Sequence, residues 1–266
     1  MSRTLGLFTN DASGVFQRSV IAGAQEVAAG AGLRFEVHEI ATPPADPTGV
    51  LDRAGKVMGS LVIANALGDA TLKELARTGH PVTLVSHRAA DLGVPSVLHD
   101  NRQGIRQLVE HLVAAGRTRF VYVSGNPEQL DGRERERFFR EELMRNELNV
   151  PATRFLLGDF EPEVAAASMA GYLQRARDFD AVIAADYLMA IDVMAVLRSA
   201  GIDVPGEVSV VAFGDGPEAA AAELTVTGAD VVELGRRSAR QLIAQVEGER
   251  FLGYTLIRTR LMLRGS

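Results

Sequence analysis

Residues 101–125 read NRQGIRQLVEHLVAAGRTRFVYVSG, and their pattern decides how the rest of the chain is parsed. Ile105, Leu108, Val109, Leu112 and Val113 recur at i, i+3, i+4, i+7 and i+8, one apolar stripe on a helix running from Asn101 to Ala115. Gly116 follows where a left-handed residue closes a helix. The period then changes, because RFVYVSG (residues 119–125) is a short apolar run of strand length. A helix feeding an apolar strand is half of a β-α-β unit, and the same alternation extends both ways.

Strands are predicted at TLGLF (4–8), RFEVHEI (34–40), GSLVIA (59–64), PVTLVSH (81–87), RFLLGDF (154–160), DAVIAAD (180–186) and VSVVAFGD (208–215). A second clear helix runs from about Asp230 to Val246, turns Leu234, Leu242, Ile243 and Val246 inward, and ends near Gly248. Such alternation predicts an α/β protein with parallel, doubly wound sheets. Eight strands exceed one comfortable open sheet at this length, so two lobes are expected. No Gly/Ser- or Pro-rich tract and no fixed-period repeat separates them, which implies packed lobes joined by short crossings.

The chain has 266 residues, 47% apolar and 23% charged, the balance of a folded globular protein rather than a disordered one. A formal charge of −6 argues against binding nucleic acid through the overall field. Zero cysteines exclude disulfides, thiolate metal sites and a cysteine nucleophile, and fit a reducing cytoplasm. No apolar run is long enough to span a bilayer, and MSRTLGLFTND lacks the apolar core of a secretory signal. No membrane partner is expected, and the localisation is read as cytoplasmic.

Catalytic motifs are weak. Gly214-Asp215-Gly216 follows a strand, but Pro217, Glu218 and Ala219 stand where a dinucleotide fingerprint wants its third glycine, so no nucleotide cofactor is expected. None of His38, His80, His87, His99 and His111 has the i, i+4 spacing of a helical metal pair, and no metal is expected. Ser13 and Ser124 lack the G-x-S-x-G elbow. With no nucleophile–base or metal constellation, the chain is read as no enzyme and without cofactor.

Binding residues are more promising. Arg133 to Glu147 holds five Arg and five Glu, the composition of a solvated helix with i, i+4 ion pairs. Phe139 and Leu143 mark its buried face, and Arg135 lies on that face one turn earlier. That position points to the edge where strand carboxyl ends meet solvent, the edge at which open α/β sheets bind ligands. A guanidinium there suits a hydroxyl pair or a carboxylate. The loop after the first strand offers Asp11 and Ser13, either helix caps or polar ligand contacts, and Phe16, either core or an aromatic wall. Asp186 and Asp215 stand at equivalent strand carboxyl ends.

Four stretches together resemble the effector-binding core of LacI/GalR-type transcription regulators, which share the type I periplasmic sugar-binding protein fold. VPSVLHDNRQGIRQLVEHLVAAGRTRFVYVSG is similar to the family block V-D-N-x-x-G … H-L … G-x-x-x-I-x-x-x-x-G, and GRERERFFREEL to its A-R-x-R-x-x-G-F-x-x-A-L helix. AVIAADYLMAIDVMAVLRSAGIDVPGEVSVVAFGD resembles A-x-N-D-x-M-A-x-G … G-x-x-V-P-x-D-V-S-V-V-G-F-D, and VVELGRRSARQLIAQVEGE the last helix. The resemblance implies two Rossmann-like lobes, residues 1–116 plus 230–256 and 117–229 plus 257–266, with a small molecule in the cleft between them. It implies that Arg135 is the cleft arginine and Phe16 the first-loop aromatic, with Asp11, Ser13 and Asn101 at or near the cleft.

Departures touch the same set. The family Asn of A-N-D is Asp186, its next Asp is Tyr187, and the first Asp of the G-F-D-D stretch is Gly214. The Gln before the last helix is Ala229, and the Asp-Arg after a first-lobe strand is Ser86-His87, which brings His87 into the candidate set. A plain aldose therefore fits poorly, and Asp186 points to a modified, cationic or less hydroxylated ligand. Only Met1, Ser2 and Arg3 precede Thr4, so the family's DNA-reading headpiece is not expected here, and operator DNA would be reached only through it. The expected function is an allosteric small-molecule sensor in a homodimer. A sensor for another signalling protein, or a solute-binding protein for transport, is the alternative.

Overall fold

In both sheets of the protein, the strand order doubles back beside its first strand. The computed structural model describes residues 3–40 and 47–266, except the side chains of Pro47 and Ala90. Residues 1–2 and 41–46, which fall in the expected first lobe, lie outside the described residues. One compact unit comprises Met1–His99 with Asp230–Ile257, the other Asp100–Ala229 with Arg258–Ser266.

In the first unit the strands are β1 (Thr4–Thr9), β2 (Arg34–Glu39), β3 (Ser60–Ile63), β4 (Val82–Val85), β5 (Ser96–His99) and β11 (Tyr254–Ile257). They lie in the order β11-β5-β4-β3-β1-β2, all parallel. Its helices are α1 (Val15–Gly30), α2 (Pro47–Ala54), α3 (Asp69–Arg77) and α9 (Val231–Val246). Alternate strand residues feed two cores, as a sheet covered on both faces requires. Leu7, Leu61, Ile63 and Val85 pack with Val20, Ala24, Leu234 and Leu242 on one face. Phe8, Val62 and Leu84 pack with Val50, Leu72 and Leu75 on the other.

The second unit repeats the plan with β6 (Phe120–Ser124), β7 (Phe155–Leu157), β8 (Ala181–Ala184), β9 (Ser209–Phe213), β10 (Thr225–Gly228) and β12 (Arg260–Met262). The order is β12-β10-β9-β8-β6-β7, parallel throughout except for the antiparallel pair β10/β12. Its helices are α4 (Asn101–Ala114), α5 (Leu130–Arg145), α6 (Pro162–Leu173), α7 (Tyr187–Ser199) and α8 (Pro217–Ala221). The order reverses between β1 and β3 in one unit and between β6 and β8 in the other. Strand carboxyl ends diverge at such points and leave a crevice.

The helix expected from Asn101 forms as α4, with the Asp100 carboxylate accepting a hydrogen bond from the Gln103 amide at 2.9 Å. Gly116 follows it with φ +78°. The expected lobe boundary after residue 116 is corrected to 99/100. Ile105, Leu108, Val109 and Leu112 of α4 are buried in the second unit's core, and Gly104 sits against Phe213 and Thr227. The apolar stripe shows that α4 is buried, but not against which sheet. The later crossing moves by one residue, from 256/257 to 257/258.

Strands β5, β10, β11 and β12 escaped the sequence reading. Each has only three or four residues and is interrupted by polar side chains such as Ser96, Thr225, Thr227, Thr255 and Arg260, so none stands out as an apolar run. RFLLGDF is a strand only at Phe155–Leu157, because Asp159 and Phe160 adopt left-handed φ of 58° and 62°.

Helices α1 and α9 cross closely at two glycines. A Cβ on Gly23 would lie 2.0 Å from the Val232 carbonyl oxygen, and one on Gly235 would lie 2.1 Å from that of Val20. Backbone cannot retreat as a side chain can, so Gly23→Ala forces the helices apart and destabilises the protein by about 1–3 kcal/mol. Gly30→Ala, in the same helix with open space around it, gains up to about 1 kcal/mol from helix propensity. Urea unfolding midpoints should move in opposite directions for the two variants.

Candidate functional site

Helix α5 carries Arg135 on the face that packs inward, and its guanidinium reaches the β6/β8 reversal. Arg135 is 6% exposed. Its Nη1 donates to the Ala185 carbonyl just past β8 at 2.8 Å, and its Nε to Asn101 Oδ1 at 3.0 Å. Its Nη2 lies 3.5 Å from Asp131 Oδ2, one turn earlier on the helix. The guanidinium stacks 3.8 Å from the Phe213 ring centroid, with Phe160 at 5.8 Å. Asn101, 1% exposed, turns its Nδ2 to Asp131 Oδ1 at 2.8 Å and to Glu134 Oε2 at 3.0 Å. A buried cation is thus held by a carboxylate, an amide, a carbonyl and two aromatic faces, the set such a charge needs away from water.

Two glycines make the room. A Cβ on Gly104 would lie 2.4 Å from Phe213, and one on Gly125 would lie 2.2 Å from Phe160. Both rings therefore close down on the arginine only because those positions have no side chain.

Asp186 stands beside this cluster as the N-cap of α7, its Oδ1 accepting from the Leu188 amide at 2.8 Å. Withdrawal from water pushes its carboxyl above the ordinary value, against the backbone donors of Leu188, Met189 and Tyr187 and the Arg135 charge. Asp215 has a different role, since its Oδ1 accepts from Arg264 Nη2 at 2.9 Å and so ties down the chain's last residues. The two strand-end acids do not act alike.

Tyr187 explains one departure. It is 6% exposed, and a Cβ on Gly214 would fall 2.9 Å from its ring, one on Gly216 2.6 Å from its hydroxyl. The hydroxyl donates to Glu218 Oε2 at 3.3 Å. The tyrosine and the missing side chain at 214 are two sides of one volume exchange. Gly214 also has φ +92°, which favours glycine.

In the first unit, the loop after β1 holds Asp11, whose Oδ1 accepts from both the amide and the hydroxyl of Ser13 at 2.7 Å. Those bonds hold its carboxyl below the ordinary range. Neither residue caps α1, whose N-cap is Gly14 with no side-chain bond. Phe16, half-buried, packs at the edge of the core with its ring centroid 5.9 Å from that of His99. His87, 9% exposed, follows β4 directly after Ser86, which has a left-handed φ of 52°. The Ser86 hydroxyl is buried without a hydrogen-bond partner among the described residues. Structure therefore gathers Asn101, Arg135 and Asp186 at one strand reversal. It places Asp11, Ser13, Phe16 and His87 on the first unit.

Sequence reading missed Asp131, Phe160, Phe213 and Tyr187. Only Asp131, four residues before Arg135, carried a usable signal, the i, i+4 pairing rule. Among the described residues no three His, Cys, Asp or Glu side chains gather as a metal site, and no helix is long and apolar enough to cross a membrane.

Arg135→Ala removes the cation beside the buried Asp131 carboxylate, to which the Asn101 amide still donates, and costs about 3–5 kcal/mol of stability, read as a fall in the urea midpoint. For Asp186 the sign is opposite. A carboxyl raised on folding binds its proton more tightly in the native state, so its contribution to stability is present below the unfolded value and is lost as pH rises from there through the raised folded value. Asp186→Asn, which keeps the cap, should be more stable than wild type at pH 7. That advantage should vanish in unfolding curves taken below the ordinary carboxylate range.

A profile of the Periplasmic binding protein-like domain matches residues 109–266. The HTH-type transcriptional regulator CelR of Thermobifida fusca is 35% identical over 183 residues, covering 66% of this chain and 54% of that one. The HTH-type transcriptional regulator GalR of Salmonella typhimurium is 32% identical over 157 residues, covering 58% and 45%. The chain thus spans about half the length of these curated relatives. The solved complex of the transcriptional regulator CelR with cellobiose superposes with a TM-score of 0.89 at 28% identity, over 100% of this chain and 84% of that one. A lac repressor dimer bound to operator and the anti-inducer ONPF gives 0.90 at 22% identity over 100% and 94%, a likeness of fold alone. These relatives are transcription regulators rather than enzymes. With more than half its length inside that profile, and with regulators as its relatives in sequence and fold, the chain belongs to the periplasmic binding protein-like domain family, in the form of the effector-binding core of LacI/GalR-type transcription regulators.

Proposed function

We propose that this chain senses a small, sugar-related molecule and passes its presence to a DNA-binding headpiece carried by the same regulator, which acts in the cytoplasm as a homodimer. The observation that carries the reading is the buried Arg135 guanidinium, fixed at the β6/β8 reversal between Asn101, the Ala185 carbonyl and the Phe213 face. Of its five N–H groups, two are committed to those oxygens, and the rest serve Asp131 and the effector. Asp11, Ser13, Phe16 and His87 supply the first unit's contacts, and Asp186 adds an acidic group beside the arginine.

The energetics suffice for a switch. Moving a two-state equilibrium from 1:99 to 99:1 takes about 5.5 kcal/mol of differential affinity. Two or three charge-assisted hydrogen bonds of about 1.5–3 kcal/mol each, with one aromatic face, cover it. Because these groups are already locked in place, little of that binding energy is lost to ordering them.

The relative solved with cellobiose supports a saccharide-like effector. Asp186, Tyr187 and Gly214 alter the polar set that would hold sugar hydroxyls, and the carboxylate favours an effector bearing an amine. Isothermal titration against glucose, galactose and cellobiose on one side, and glucosamine and galactosamine on the other, tests this. An amine-bearing compound should bind at least tenfold tighter than its neutral counterpart, and Asp186→Asn should erase the difference. Tight binding of a plain aldose, unchanged by Asp186→Asn, refutes the amine preference. Silence across the whole panel, with Arg135→Lys equally silent, counts against the sensor reading.

A further inference from the structure

A cavity of about 660 Å³ lies within the second unit, against the outer side of β7, and shares no lining residue with the Arg135 cluster. That volume falls within the range of small-molecule sites, about 300–1,000 Å³. β7 is the terminal strand of its sheet, so this side is covered by no further strand. Leu157, 56% exposed, and the ring of Tyr172 supply apolar wall. Gly171 on α6 leaves the opposite wall open, since a Cβ there would meet nothing within 4 Å.

Charge at the rim is unbalanced. Arg154, 9% exposed, is paired with Asp178, its Nη2 donating to both the carbonyl and the carboxylate of that residue. Arg175, which also lines the cavity and is exposed, has a guanidinium with no hydrogen bond or ion pair among the described residues. In a chain of net charge −6, one unpaired guanidinium above an apolar hollow is complementary to an amphipathic anion.

We propose that this cavity is a second small-molecule site, taking a monocarboxylate with a compact aryl or branched-alkyl body. The carboxylate pairs with Arg175, and the body lies against Leu157 and Tyr172. Nothing in this depends on which effector the Arg135 cluster takes.

The Leu157 methyl resonances of the full 266-residue chain provide the readout. Benzoate is the probe, with benzamide and benzylamine matching its ring but not its charge. Benzoate should move those resonances saturably, and the two analogues should bind at least tenfold more weakly. Arg175→Glu should abolish the response, as should Gly171→Leu, which fills the hollow. The Arg175 guanidinium is exposed and has no partner among the described residues, so Arg175→Glu decides the matter even should Gly171→Leu fold poorly. Unmoved Leu157 resonances, equal binding of benzylamine, or wild-type affinity in Arg175→Glu would overturn the assignment.

Discussion

One guanidinium organises the second unit. Arg135 is withdrawn from water at the point where the strand order reverses, and no single partner could compensate such a charge. Its desolvation is met in parts: Asp131 by charge, Asn101 and the Ala185 carbonyl by directed acceptors, and Phe213 by its ring face. These partners come from α5, the start of α4, the end of β8 and the end of β9. Four elements are therefore held in register by a group whose removal takes the cation away from a buried carboxylate.

That arrangement depends on absent side chains as much as on present ones. Gly104 and Gly125 let Phe213 and Phe160 close on the arginine, and a Cβ at either position would collide with a ring rather than with a flexible chain end. Gly214 likewise admits Tyr187. Tyr187 fills the space that a side chain at 214 would need, and its hydroxyl donates to Glu218. The two residues read as unrelated in the sequence and share one volume in the structure.

The acids show how position alone misleads. Asp186 and Asp215 occupy matching strand ends, yet one caps a helix beside the arginine and the other anchors the C-terminal segment through Arg264. Asp11 is bound up with Ser13 in its own loop rather than capping α1. A carboxylate at a strand end takes whichever donors lie nearest, and those are set by neighbours distant in the chain.

By itself the sequence determined the alternation of strands and helices, the two α/β units, the limits of α4 and α9, and the inward face of α5 with Arg135 on it. The elements follow from local periods of 2 and 3.6 residues and from capping groups within a few positions, and the two units from a strand count too high for one sheet. Tertiary structure alone decided that α4 belongs to the second unit, that β5, β10, β11 and β12 exist, and that Phe160 and Phe213 flank the arginine. Short strands form only when a neighbouring strand offers its hydrogen bonds, and an aromatic wall is a wall only once the facing glycine is known. Both are relations between segments far apart in the chain, which no local pattern records.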